Sequence, residues 1–203
     1  MYGIAAVGNT NAVFHYRMRA ETCLLKGDYE GALEVGSESL ESDIHLQMIR
    51  MYAMALRSEL GERLFHYPVV GKSSDLLPTS NKACFVRYPH ERIKISKTMH
   101  RDYELCGLLI DRRLDDFVTR LQRYYTVGDS LDTNHLPKHY REALTLYSHS
   151  RHHPVLVYHN PVMEEDYRNL QELERQYPDA TERQGKVEDL YGDTYWYYFK
   201  YPK

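Results

Sequence analysis

Residues 20–40, AETCLLKGDYEGALEVGSESL, decide the fold. Tyr16, just upstream, joins Ala20, Cys23 and Leu24 at i, i+4, i+7 and i+8, one face of a helix. Gly27 breaks that pattern, since glycine takes the left-handed conformation that ends a helix without a steric penalty. Asp28 follows as an N-cap, placed to accept from the free amides of the next turn. Tyr29, Ala32, Leu33, Gly36 and Leu40 form the apolar face of a second helix. Small residues at 32 and 36 let two helices cross closely. The stretch therefore folds back on itself as a helical hairpin.

An echo lies downstream. Leu60-Gly61-Glu62 repeats Lys26-Gly27-Asp28, and 61 − 27 = 34. Ile49, Tyr52, Ala53 and Leu56 supply the first helix of this second unit. Its second helix departs from the pattern, with His66 where a small residue is expected and Pro68 stopping it within about two turns. The spacing resembles the tetratricopeptide repeat, whose period is about 34 residues. On that alignment Tyr16, Ala20, Tyr29 and Ala32 occupy the repeat's aromatic and small positions. The competing reading is two ordinary amphipathic helices with a chance glycine spacing. Agreement at several positions favours the repeat.

Periodicity predicts helices over 12–26, 28–42, 44–59 and 61–67. Residues 67–81 hold two prolines, a glycine and several small polar residues, a loop. In residues 82–95, Phe85-Val86 and Ile93-Lys94-Ile95 suit short extended pieces that Pro89 keeps apart. From Ser96 the helical period returns, with Tyr103, Cys106, Gly107 and Ile110 on one face. Asp111-Arg112-Arg113 marks a turn before the stripe of Leu114, Phe117, Val118 and Leu121. Residues 128–134 are a loop, and Pro137 opens a helix with Tyr140, Ala143, Leu144 and Tyr147 inward. Asn160-Pro161 starts another, carrying Met163, Tyr167, Leu170 and Leu173. A last helix begins near Thr181 and runs into the aromatic tail. The expected fold class is all-α, about two-thirds helix, with antiparallel hairpins stacked as a short tetratricopeptide-like α-solenoid. Its expected organisation is hairpins over 1–68, an irregular linker over 69–95, and the same solenoid resumed over 96–203.

Five pieces carry a more specific resemblance: HYRMRAETCLLKGDYEGALEVGSESLESD, LRSELGERLFHYPV, LLP, LPKHYREALTLY and GDTYWYYF. They look like an uncharacterised family of Bacteroidetes proteins. Such proteins carry transmembrane helices first and a tetratricopeptide-like helical region after them. The resemblance implies a bacterial source and a domain tethered to the inner membrane in the full-length family. It brings no catalytic motif.

The 203 residues and net charge of −3, with both signs interspersed, suit one domain or one solenoid. Nothing in that balance points to nucleic acid. Nineteen tyrosines against one tryptophan and five phenylalanines suit thin helical layers, because tyrosine buries a ring and keeps its hydroxyl wet. Cys23, Cys84 and Cys106 are odd in number and lack metal-ligand spacing. No apolar run approaches the roughly 18 residues of a membrane span. The start, MYGIAAVGNTNAV, lacks a basic segment and reads as the tail of a preceding piece rather than a signal peptide.

No catalytic or cofactor motif occurs, and no metal site or cofactor is expected. His149, His152, His153 and His159 are the densest titratable cluster, but no acid is placed as a general base and Pro154 interrupts the helix. They read as a polar corner, with a metal- or acid-dependent enzyme site over 149–159 as the alternative. Glu164-Glu165-Asp166 suit the first turn of a helix, where acids favour the macrodipole. The repeat resemblance places Phe14, Arg17, Glu21, Met48 and Met51 towards a peptide groove. The competing reading packs them on a missing N-terminal neighbour. Trp196 and Phe199 are the aromatic surface candidates, with burial beneath the folded-back loop 67–95 as the favoured alternative. The expected function is non-catalytic: an interaction or scaffold module with a protein or peptide partner. A structural cap on the parent membrane protein is the third reading.

Overall fold

The computed structural model describes residues 8–80, 85–127 and 135–202. It is all-helical, 64% helix, with no strand among the described residues. Among the described residues ten α-helices follow in order: α1 (Gly8–Leu25), α2 (Tyr29–Glu34), α3 (Ile44–Leu56), α4 (Leu60–Arg63), α5 (Lys97–Ile110), α6 (Leu114–Leu121), α7 (Lys138–Ser150), α8 (Pro161–Gln176), α9 (Ala180–Tyr191) and α10 (Tyr195–Lys200). Single 3₁₀ turns occupy Leu64–His66, Ser73–Asp75 and His90–Arg92. Neighbours in the chain are neighbours in space: α1 packs on α2 and α3, α3 on α4 and α5, and α5 on α6. Helix α7 then joins the halves, touching α4, α6, α8 and α10.

Three of the hairpins turn in the same way. After α1, Gly27 N–H donates to Leu24 O at 3.0 Å and Asp28 N–H to Cys23 O at 2.9 Å. After α3, Ser58 donates to Ala55 O and Glu59 to Met54 O; after α5, Arg112 donates to Leu109 O and Arg113 to Leu108 O. The turn residue is left-handed each time, with φ of 74°, 59° and 55° at Gly27, Ser58 and Arg112. The bond pair satisfies carbonyls that a helix end leaves free.

The counterpart of Gly27 is therefore Ser58, not Gly61. Gly61 lies inside α4, and a Cβ there would stand 2.7 Å from the Cβ of Pro137. Its missing side chain lets α4 approach the start of α7. The expected helix over 28–42 also stops early, at Glu34. Gly36 turns left-handed (φ 63°) over the ring of Tyr16, and Arg50 Nη2 donates to the carbonyls of Val35 and Gly36, each at 3.1 Å. The last expected helix is two. Gly192 caps α9, and Thr194 starts α10 by accepting from Tyr197 N–H.

Ala32 is fully buried where α2 meets α1 and α3. Ala32→Leu should overpack that crossing and lower unfolding free energy by about 1–3 kcal/mol, with a similar loss for Gly61→Ala. Gly185→Ala is the contrast, since its methyl meets nothing within 4 Å inside α9. It should gain about 0.5–1 kcal/mol from helix propensity. Urea melts of the three variants check the signs.

Candidate functional site

Glu21 is fully buried on α1. A carboxylate taken out of water must be met by donors. Three consecutive main-chain amides meet this one. Val86 N–H donates to Oε1 at 3.1 Å, and Arg87 and Tyr88 N–H donate to Oε2 at 2.5 and 3.1 Å. Arg17 Nε lies 3.4 Å from Oε1, one helical turn back. Bonds from amides to a charged acceptor contribute about 1.5–3 kcal/mol each, so this group fixes the segment's path.

The segment is held at two further places. Phe85 and Tyr88 set their rings against Tyr52 of α3, at centroid distances of 6.3 and 5.9 Å, and 5.8 Å from each other. Tyr52 Oη accepts from Lys94 N–H at 3.2 Å. Burial pushes the Tyr88 hydroxyl up to about 12, with Tyr52 beside it adding to the rise. Arg87 Nη1 donates to Thr22 Oγ1 at 3.0 Å. The faces of α1 and α3 thus hold residues 85–95, irregular chain interrupted by the 3₁₀ turn His90–Arg92.

The groove candidates separate on this frame. Phe14 is 48% exposed, whereas Arg17, Glu21, Met48 and Met51 lie in the interior. Glu21 sits beneath the chain's own residues 86–88. Sequence reasoning placed Glu21 on the groove side but did not find what binds it. The available signal was an acid beside the apolar Ala20, with Arg17 four residues back. Tyr52, Phe85 and Tyr88 were missed as a set because nothing in periodicity joins residues so far apart. Cys84 and the 128–134 loop lie outside the described residues. Cys23 and Cys106 are free thiols, and burial pushes that of Cys106 far up.

A second buried carboxylate, Glu142 of α7, anchors the tail. His139 Nε2 accepts from Phe65 N–H at 3.3 Å, which leaves the Nδ1 hydrogen to donate to Glu142 Oε2 at 2.8 Å. Tyr195 N–H donates to the same oxygen at 2.8 Å, and Trp196 Nε1 to the Glu142 carbonyl at 2.7 Å. Trp196 is 1% exposed. Its cover is not the loop 67–95 but Tyr167 of α8 and Tyr191 of α9, whose rings lie at 5.2 and 6.3 Å. The indole N–H needs a buried acceptor, and α7 supplies it beside α8. Phe199 is half-buried against Tyr195, and Leu190 of α9 is 68% exposed. The 3₁₀ turn Leu64–His66, just ahead of that loop, meets the tail through Phe65 and Tyr198, whose centroids are 4.7 Å apart. Arg112 stacks on the Tyr198 ring at 4.2 Å and donates to its carbonyl, and Tyr198 Oη donates to Ile110 O. That tie accounts for an arginine at a left-handed position.

The histidine corner is dispersed. His149 lies against the Tyr167 ring at 5.1 Å, and His159 Nδ1 is 2.7 Å from Glu164 Oε1, while His152 and His153 are exposed. Among the described residues no three His, Cys, Asp or Glu side chains gather as a metal site. Two clefts remain. One, of about 710 Å³, lies between residues 73–79 and helices α5 and α6, where the Asp111 carboxylate accepts from Ser73 N–H and Oγ–H. The other, of about 270 Å³, is lined by Phe65, Tyr67, Tyr197, Tyr198 and Tyr201.

The fold and site define an all-helical chain whose first hairpins clasp a stretch of its own backbone. Residues 94–202 match DUF6057, a family of unknown function, and the chain belongs to that family. No curated protein and no solved structure matches it.

Trp196→Ala should cost about 3–5 kcal/mol, as large buried truncations do, and the native emission maximum should be blue-shifted. A water-like maximum with an unchanged melting temperature would contradict the packing described. A pH effect follows from His66, whose Nε2 lies 3.5 Å from Asp193 Oδ2. Burial holds it below the ordinary 6.5, with Lys138, His139 and Arg63 adding to the fall and Asp193 opposing it. Below that value the unfolded chain takes up a proton that the native His66 refuses. Stability therefore falls as pH drops from about 6.5 towards the lower native value. Urea midpoints at pH about 7 and about 5.5 should differ less in His66→Asn than in the wild type.

Proposed function

We propose that this chain is a non-catalytic interaction module that takes an extended polypeptide segment. In this reading the stacked hairpins are a short tetratricopeptide-like solenoid, and the module follows the membrane helices of a longer bacterial protein. One observation carries it: α1 and α3 already hold non-helical chain through main-chain amides on Glu21 and aromatic contacts on Tyr52. Main-chain bonds supply affinity for any extended segment, and ring contacts supply choice among them. The recurring left-handed turn, at Gly27, Ser58 and Arg112, supports a repeated architecture.

The test is panning of a random peptide library against the full chain. The reading predicts enrichment of peptides that compete with one another for a single site. Absence of any enriched, competing set would contradict it.

A further inference from the structure

Residues 85–95 make few side-chain contacts for their length. Phe85 and Tyr88 are buried and Ile93 and Ile95 are half-buried against the core, while Val86, Arg87, His90, Glu91, Arg92 and Lys94 are exposed. Residues 86–88 are held further by the row of amides on Glu21 and by the Arg87 guanidinium on Thr22 Oγ1. Segments with few buried apolar contacts open at lower free energy than the core beneath them. Beneath them, α3 is buried along nearly its whole length. The attachment is thus that of a ligand on a rigid face.

We propose that residues 85–95 are an internal ligand, and that an external peptide with two aromatic residues three apart and an arginine between them displaces them. This rests on the interaction reading above and names the partner's chemistry. Three features of the internal occupant define it. Phe85 and Tyr88, at positions one and four, share the Tyr52 ring. The three amides that follow Phe85 must be free to donate, which excludes proline at those positions. Arg87, between the two rings in sequence, donates from its guanidinium to Thr22 Oγ1 of α1 at 3.0 Å. The internal segment is tethered and therefore present at high effective concentration. A partner binds only the fraction of molecules in which it has left, so its apparent affinity is reduced by that fraction.

The probe is the blocked peptide FVRYPHERIKI, the sequence of residues 85–95, with a scrambled peptide as control. Phe85→Ala with Tyr88→Ala loosens the internal copy and should bind the probe roughly tenfold or more tighter than the wild type does. Adding Glu21→Gln should reverse that gain, with helix content unchanged by circular dichroism. Equal binding of probe and scramble, or no gain in the folded double variant, overturns the proposal. Should the variants fail to fold, the wild-type chain decides. Excess probe should shift the amide resonances of residues 86–88 towards solvent-exposed values and leave α3 unmoved, and unmoved amides overturn it. If panned peptides bind regardless of Glu21→Gln, this inference falls while the interaction reading stands. If panning yields none, the interaction reading itself falls.

Discussion

A carboxylate removed from water must be fully satisfied, and two of those this chain buries, Glu21 and Glu142, tie distant segments together. Removing a partner from such a group leaves an uncompensated charge and costs about 3–5 kcal/mol, a large share of a domain's stability. Glu21 recruits three amides from a segment more than sixty residues away in sequence. Glu142 recruits His139 and the start of α10, and His139 in turn takes the Phe65 amide. Through these two groups, parts of the chain with little regular structure acquire one position each. The helices would form hairpins without them. The placement of residues 85–88 and of the aromatic tail would not follow.

The same account explains which parts were legible in the sequence. Helix pairs are local, so the 3.6-residue period finds them: Tyr140, Ala143, Leu144 and Tyr147 are all buried on α7, and Asp28 and Asn160 both cap helices. The errors lie where a distant group overrides the local signal. Arg50 takes the last carbonyls of α2 and ends it at Glu34, eight residues before the periodicity fades at 42. Gly61 looked like a turn because glycine usually marks one, but contact with Pro137 requires it. The true turn, at Ser58, carries no glycine and gives no such signal.

The candidate site was half legible. Repeat geometry pointed to the side of α1 that carries Glu21, and the carboxylate there accepts from the chain's own amides at residues 86–88. Its occupant was hidden because residues 82–95 have no period, and a main-chain amide leaves no mark in a sequence. The tail was read more fully. Six of the seven residues 195–201 are aromatic, and such a helix needs cover on several sides. Which side chains provide it, Tyr167 and Tyr191, depends on how α8 and α9 pack.

The most direct test of the account is amide hydrogen exchange at Val86, Arg87 and Tyr88 in the wild type and in Glu21→Gln. The account predicts slow exchange in the wild type and a marked acceleration at these three amides in the variant, with α3 still protected. Equal exchange rates at the three amides in both proteins would contradict it.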